Sequence, residues 1–204
     1  MKRLAYIGML SAVMLMGVGC SGGSSEPEKP VDITFNQQPV EEKQGTMPAW
    51  TFPGVLSLEE IQKKQIRVKT EKGDIVFELF ADTAPKTVSN FVYLTTGGYY
   101  NGLTFHRREP GFVIQGGDPS GNGSGGPGYE FEDELTDNLT YDRGIVAMAN
   151  RGPNTNGSQF FVMLGSTPLP KAYTIFGRVT EGMDVVDKIA VGDKMTAVMV
   201  EDAK

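Results

Sequence analysis

The chain has 204 residues, 39% of them hydrophobic and 22% charged, which leaves room for one ordinary globular domain with extensions. Its formal net charge of -6 argues against nucleic acid as a partner, because neutralising phosphates requires a basic face. The single cysteine, Cys20, excludes an internal disulfide and a cysteine-based zinc site, and the single histidine, His106, excludes a multi-histidine metal centre.

Lys2 and Arg3 precede an apolar run over residues 4–18, which has the length of a secretory leader and falls short of the roughly 20 residues needed to span a bilayer. Met16-Gly17-Val18-Gly19-Cys20 resembles a bacterial lipobox, in which the leader is cut before the cysteine and the thiol is acylated. Gly19 fits that pattern, whereas Gly17 stands where leucine is usual. The expectation is a lipoprotein signal peptide over 1–19, lipidation at Cys20, and an extracytoplasmic, membrane-anchored lipoprotein of a bacterium. A leader cut elsewhere, with Cys20 incidental, is the alternative. Residues 20–60 read as a flexible tether, because their first thirty or so positions are rich in serine, glycine, proline and glutamate with no sustained apolar period. The stretch 47–58 is less polar, and the sequence leaves open whether it packs on the domain.

A domain is expected over 61–204. Ile66, Val68 and Thr70 alternate with charged residues, 71–74 supply a turn, and Ile75, Phe77 and Leu79 alternate again, which predicts a β-hairpin. Pro85 suits a first helical position; Val88, Phe91, Val92 and Leu94 follow at helical spacing, and Gly97-Gly98 supplies a stop. A second helix is predicted over 181–190, with Met183, Val186 and Ile189 on one side. Between the helices, short apolar runs separated by glycine-rich turns suit a tightly bent antiparallel sheet. Periodicity alone therefore predicts a mainly β domain with two helices.

Two runs carry the chemistry: FHRREPGFVIQGGDPSGNGSGGPGY at 105–129 and MANRGPNTNGSQFFV at 148–162. They set one cation, Arg107, among apolar and amide side chains, with no serine, cysteine or carboxylate placed as a nucleophile. Such a site suits a reaction that makes and breaks no covalent bond. Gly121-x-Gly123-x-x-Gly126 formally matches a dinucleotide fingerprint, but Pro127 and Gly128 follow where a phosphate-binding helix should open.

These two runs resemble the signature blocks of the cyclophilin family of peptidyl-prolyl cis/trans isomerases, and the resemblance extends at lower density over about 66–200. It implies a closed eight-stranded antiparallel β-barrel capped by two α-helices. It also implies acceleration of rotation about X-Pro bonds, assisting the folding of exported or surface proteins, with no cofactor and a monomeric enzyme acting on proline-containing polypeptides. Matching the family residue by residue, Arg107 is the catalytic cation, and Phe112, Met148, Phe161 and Leu169 form the proline pocket. Gln115, Ala149, Asn150 and Gln159 line the substrate groove, and Gln115 could hold Arg107 in place. Pro168 and Tyr173 stand where eukaryotic members often have tryptophan and histidine; Tyr173 can still close the pocket edge with its ring. Losing the indole donor bears on the inhibitor cyclosporin and leaves the isomerase set intact. His106 is close to the site but stays outside the catalytic set, since the reaction transfers no proton. The bland alternatives are a surface ion pair for Arg107, ordinary core for the aromatics and methionine, and buried-backbone partners for the amides. A groove that only binds proline segments, with incidental turnover, is the rival function.

Overall fold

The computed structural model describes residues 49–203. The signal peptide, Cys20 and the first part of the expected tether lie outside the described residues. Among the described residues no helix is long and apolar enough to cross a membrane.

The predicted hairpin forms from β1 (Lys64–Thr70) and β2 (Gly73–Leu79), antiparallel with Ile66 opposite Phe77 and Val68 opposite Ile75. Period-two alternation turns Ile66, Val68, Ile75 and Phe77 into the core, where each is at most 2% exposed. At the turn Gly73 has φ +127, and a Cβ there would come within 2.8 Å of a Val185 methyl, so both conformation and space select glycine. Helix α2 (Pro85–Thr96) begins with Pro85 as expected, buries Val88, Phe91, Val92 and Leu94, and ends before Gly98 at φ +78. Ala84 cannot cap it. The carboxylate of Glu134 does so from a distant loop, accepting from the backbone N–H groups of Lys86 and Thr87 at 3.0 and 2.9 Å.

The remaining strands are β3 (Arg107–Glu109), β4 (Val113–Gly116), β5 (Ile145–Met148), β6 (Phe160–Met163), β7 (Ile175–Glu181) and β8 (Ala197–Asp202). They form one eight-stranded antiparallel sheet in the order β3-β4-β6-β5-β7-β2-β1-β8. The sheet curls around a core in which the Phe91 ring lies 4.6–5.7 Å, centroid to centroid, from those of Phe77, Tyr100, Phe160 and Phe176. Closure falls short of the expectation: β3 and β8 do not pair as strands. Loops bridge them instead, with Phe105 N–H donating to Asp193 C=O at 2.9 Å, Met195 N–H donating to Leu103 C=O at 2.9 Å, and a Thr104–Lys194 bridge.

Among the described residues three helices are present where two were expected. The C-terminal one, α3 (Met183–Val186), is shorter than predicted: Glu181 remains in β7, Gly182 takes φ +81 before the helix starts, and the helix gives way to a turn at 187–188. The extra one, α1 (Leu58–Ile61), belongs to the segment read as tether. Ser57 Oγ and N–H both donate to Glu60 at its start, and Ile61 is fully buried. Upstream of it, Trp50, Phe52 and Leu56 pack against the core.

Candidate active site

The strand register builds the site. Arg107 on β3 stands opposite Gln115 on β4, Gln115 opposite Phe161 on β6, and Phe161 opposite Ala147 on β5. Residues opposite one another across an antiparallel sheet share a face, so this row lies on the outer side of the curl. Val113, Ala147, Phe161, Met163 and Ile175 form a second apolar cluster there, with Phe112, Ala149, Leu169 and Tyr173 packed against it.

A cavity of about 340 Å3 opens on this face, lined by Arg107, Phe112, Val113, Gln115, Ala149, Asn150, Phe161, Leu169 and Tyr173. Eight of those nine were expected from the sequence; Val113 was missed, because a valine within a strand reads as core. The expectation for Met148 is overturned. It is 0% exposed and sits in the inner core, since alternation along β5 points it away from Ala147 and the groove. Tyr173 closes one edge with its ring perpendicular to that of Phe161, centroids 5.6 Å apart. Asn150 Nδ2 donates to Ala172 C=O at 2.7 Å and so fixes the loop that carries Leu169 and Tyr173.

The Arg107 side chain is 46% exposed, with its guanidinium carbon 6.0 Å from the centre of the Phe112 ring. Its carboxylate neighbour Glu109 is 3.4 Å away and itself half exposed, a surface pair that contributes little. Nη1 donates to Gln115 Oε1, also at 3.4 Å.

The orientation of the supporting amides follows from chemistry. The backbone carbonyls of Gly123 and Gly125 can only accept, so Gln159 turns its NH2 to them, at 2.9 and 2.8 Å. Its Oε1 therefore faces Gln115, which must donate, at 2.9 Å. That leaves Gln115 Oε1 for the guanidinium, which can only donate. One polarity runs from the glycine loop to Arg107.

The loop is anchored in turn by Asp118, 1% exposed, whose carboxylate accepts from the N–H groups of Ser120, Asn122 and Gly123 at 2.7, 2.9 and 2.5 Å. Burial pushes this carboxyl up, but the three backbone donors outweigh burial and hold it below the ordinary aspartate range. A Cβ at Gly125 would lie 2.1 Å from Asp118 Oδ1, so only glycine permits this approach. The run that formally matched a dinucleotide fingerprint thus serves as a backbone support, and no helix opens after it. Beside it, burial lowers the His106 pKa, and neither ring nitrogen has a hydrogen-bond partner in the protein.

A second cavity, about 100 Å3, adjoins the first and shares Gln115, Ala149 and Asn150 with it; its other walls include Gln159, Tyr129 and Ser158. Among the described residues no cluster of three or more histidine, cysteine or carboxylate side chains is placed to hold a metal ion.

The family described as "Cyclophilin type peptidyl-prolyl cis-trans isomerase/CLD" matches residues 65–204. The chain belongs to the cyclophilin family. It is 48% identical over 129 residues to peptidyl-prolyl cis-trans isomerase-like 3 of Gallus gallus, covering 61% of this chain and 80% of that one. It is 46% identical over 149 residues to the probable peptidyl-prolyl cis-trans isomerase A of Mycobacterium leprae, covering 64% of this chain and 82% of that one. A crystal structure of a Cryptosporidium parvum cyclophilin type peptidyl-prolyl cis-trans isomerase superposes with TM-score 0.64 at 38% identity, over 69% of this chain and 99% of that one. The cyclophilin fold is therefore that of this chain, and its family activity is peptidyl-prolyl cis-trans isomerisation.

Proposed function

We propose that this cyclophilin turns X-Pro bonds with Arg107 as the catalytic cation and the Phe112 cavity as the proline socket. Rotation of an amide faces a barrier of about 18–20 kcal/mol because the nitrogen lone pair is delocalised into the carbonyl. When the bond twists, the nitrogen becomes a hydrogen-bond acceptor and the carbonyl oxygen separates from it electronically. A guanidinium beside a socket that excludes water binds that twisted form more strongly than either planar isomer. The observation that carries this reading is the relay Gly123/Gly125, Gln159, Gln115, Arg107, which holds the cation's donors oriented before substrate arrives. Phe112, Val113, Phe161, Leu169 and Tyr173 hold the ring; Gln115, Ala149, Asn150 and Gln159 hydrogen-bond or abut the extended peptide around it.

Phe112→Ala removes one wall of the socket and the ring beneath the guanidinium. Losing that apolar contact is worth about 1.5–3 kcal/mol, so kcat/KM for a proline tetrapeptide is expected to fall by at least about tenfold. A variant that binds and turns over peptide as the wild type does would remove Phe112 from the pocket.

The same reading extends to place. A leader over 1–19 and acylation at Cys20 would put the enzyme on the outer side of a bacterial membrane as a monomeric lipoprotein, acting on exported or surface chains; the charged start, the apolar run and Gly19-Cys20 support this. Proline rotation is among the slow steps such chains meet. Cys20→Ser is expected to move the protein from the membrane fraction to soluble or uncleaved forms. Unchanged processing and fractionation would count against anchoring.

A further inference from the structure

The segment before the family-matched region contains an aromatic strap that reaches the back of the substrate groove. The family match begins at residue 65, whereas Trp50, Phe52 and Leu56 already pack on the core. The Phe52 ring stacks on that of Phe131, with centroids 5.0 Å apart and planes at 12°, and it meets the Tyr129 ring at 5.9 Å. Tyr129 lines the second cavity. Its hydroxyl donates to Asn90 Oδ1 at 2.6 Å, and Asn90 Nδ2 donates to the carbonyl of Gly157, another wall of that cavity, at 2.8 Å. Phe131 exchanges backbone hydrogen bonds with Asn156, the residue before Gly157, at 3.0 and 3.2 Å.

Trp50 reaches the same cavity by another route. Its ring stands edge-on to those of Tyr93 and Tyr99, each 5.5 Å away, and occupies the space over Gly97 so closely that a Cβ there would lie 2.4 Å from it. The Tyr99 hydroxyl is hydrogen-bonded to Ser158 Oγ at 2.9 Å, and Ser158 lines the second cavity. Leu56 N–H donates to Ser89 Oγ on the buried face of α2 at 2.9 Å, which fixes the strap along that helix. Tyr129 is therefore backed by Phe52 directly, Ser158 by Trp50 through the one side chain of Tyr99, and Gly157 by Phe52 through Tyr129 and Asn90.

We infer that the strap, and Phe52 above all, is a positioning element of the groove: it sets the wall of the second cavity and so the hold on peptide residues flanking the proline, without touching the socket. This rests on the proposed groove. A dipeptide fills only the socket, while a hexapeptide, at about 3.3 Å per extended residue, runs over both cavities.

The test uses the full chain with Phe52→Ala and the milder Phe52→Leu, which keeps apolar bulk but loses the flat stack. Binding of the dipeptide Ala-Pro, followed by NMR, is expected to stay within about twofold of wild type in both. For a hexapeptide with one central proline, KM is expected to rise about fivefold in Phe52→Ala and about twofold in Phe52→Leu, with kcat within about twofold. Equal weakening of both peptides, the mark of a loosened fold, would overturn the inference, as would a hexapeptide KM unchanged in both variants. If neither peptide perturbs resonances around Phe112 in the wild type, the groove assignment itself falls, and the strap's role with it.

Discussion

Arg107→Ala is expected to lower the isomerisation of a short X-Pro peptide by about 10- to 150-fold while leaving the fold intact. The rate estimate comes from the bond lost: a charge-assisted hydrogen bond formed only to the twisted imide is worth about 1.5–3 kcal/mol, and each 1.4 kcal/mol is about tenfold in rate. The stability estimate comes from exposure. With its side chain 46% exposed and its hydrogen bonds to Glu109 and Gln115 both at 3.4 Å, Arg107 gives the native state less than about 1 kcal/mol. Thermal unfolding should then shift by only a few degrees. A coupled peptide-isomerisation assay alongside a melting curve separates the two effects. Arg107→Lys should recover little of the rate, since a point charge cannot reproduce the planar fork that meets Gln115 and substrate together.

Asp118→Ala is expected to be the costlier change for the fold. It strands the N–H groups of Ser120, Asn122 and Gly123 at the base of the loop, for a loss of about 2–4 kcal/mol. It also frees the carbonyls of Gly123 and Gly125 from their fixed places, so Gln159 and Gln115 lose their orientation and kcat/KM should drop about fivefold. Acid behaviour carries the same signature. Because the folded carboxyl is held below its unfolded value, near 3.9, its contribution is complete above that pH and is lost as pH falls through the lower folded value. Asp118→Asn, which keeps one acceptor oxygen and cannot ionise, should be less stable than wild type near neutrality and should flatten the acid limb of the unfolding curve. An acid limb identical to wild type would show that the carboxylate is not the loop's anchor.

How far the amino-acid sequence reveals this molecule depends on the range of the interactions concerned. The hairpin over 64–79 and the helix over 85–96 are written in local period and punctuation, and both stand where the apolar spacing puts them. Most groove residues came from the resemblance of two short runs, Leu169 and Tyr173 from the family match beyond them, and the register explains why Arg107, Gln115 and Phe161 meet across three strands. Met148 shows the limit of reading a motif without its strand: neighbours in a run alternate faces, so Ala149 reaches the groove while Met148 is core. Val113 shows the converse, a residue of ordinary core type made part of the socket by its face alone. The strap's Trp50, Phe52 and Leu56 stand in a short stretch broken by Pro53 and Gly54; they are held by α2 and the 129–131 loop, partners far away in sequence. Asp118 was passed over within a glycine-rich run because its partners are backbone N–H groups, which no side-chain pattern displays.

The central claim is that the guanidinium favours the twisted imide over its planar forms, and NMR on one proline peptide measures this directly. The Kd and the cis/trans exchange rate of the bound peptide would be compared between wild type and Arg107→Gln. Kd within about threefold and bound-state exchange slowed by at least about tenfold is the predicted result. Exchange at the wild-type rate, or affinity and exchange falling by the same factor, would contradict it.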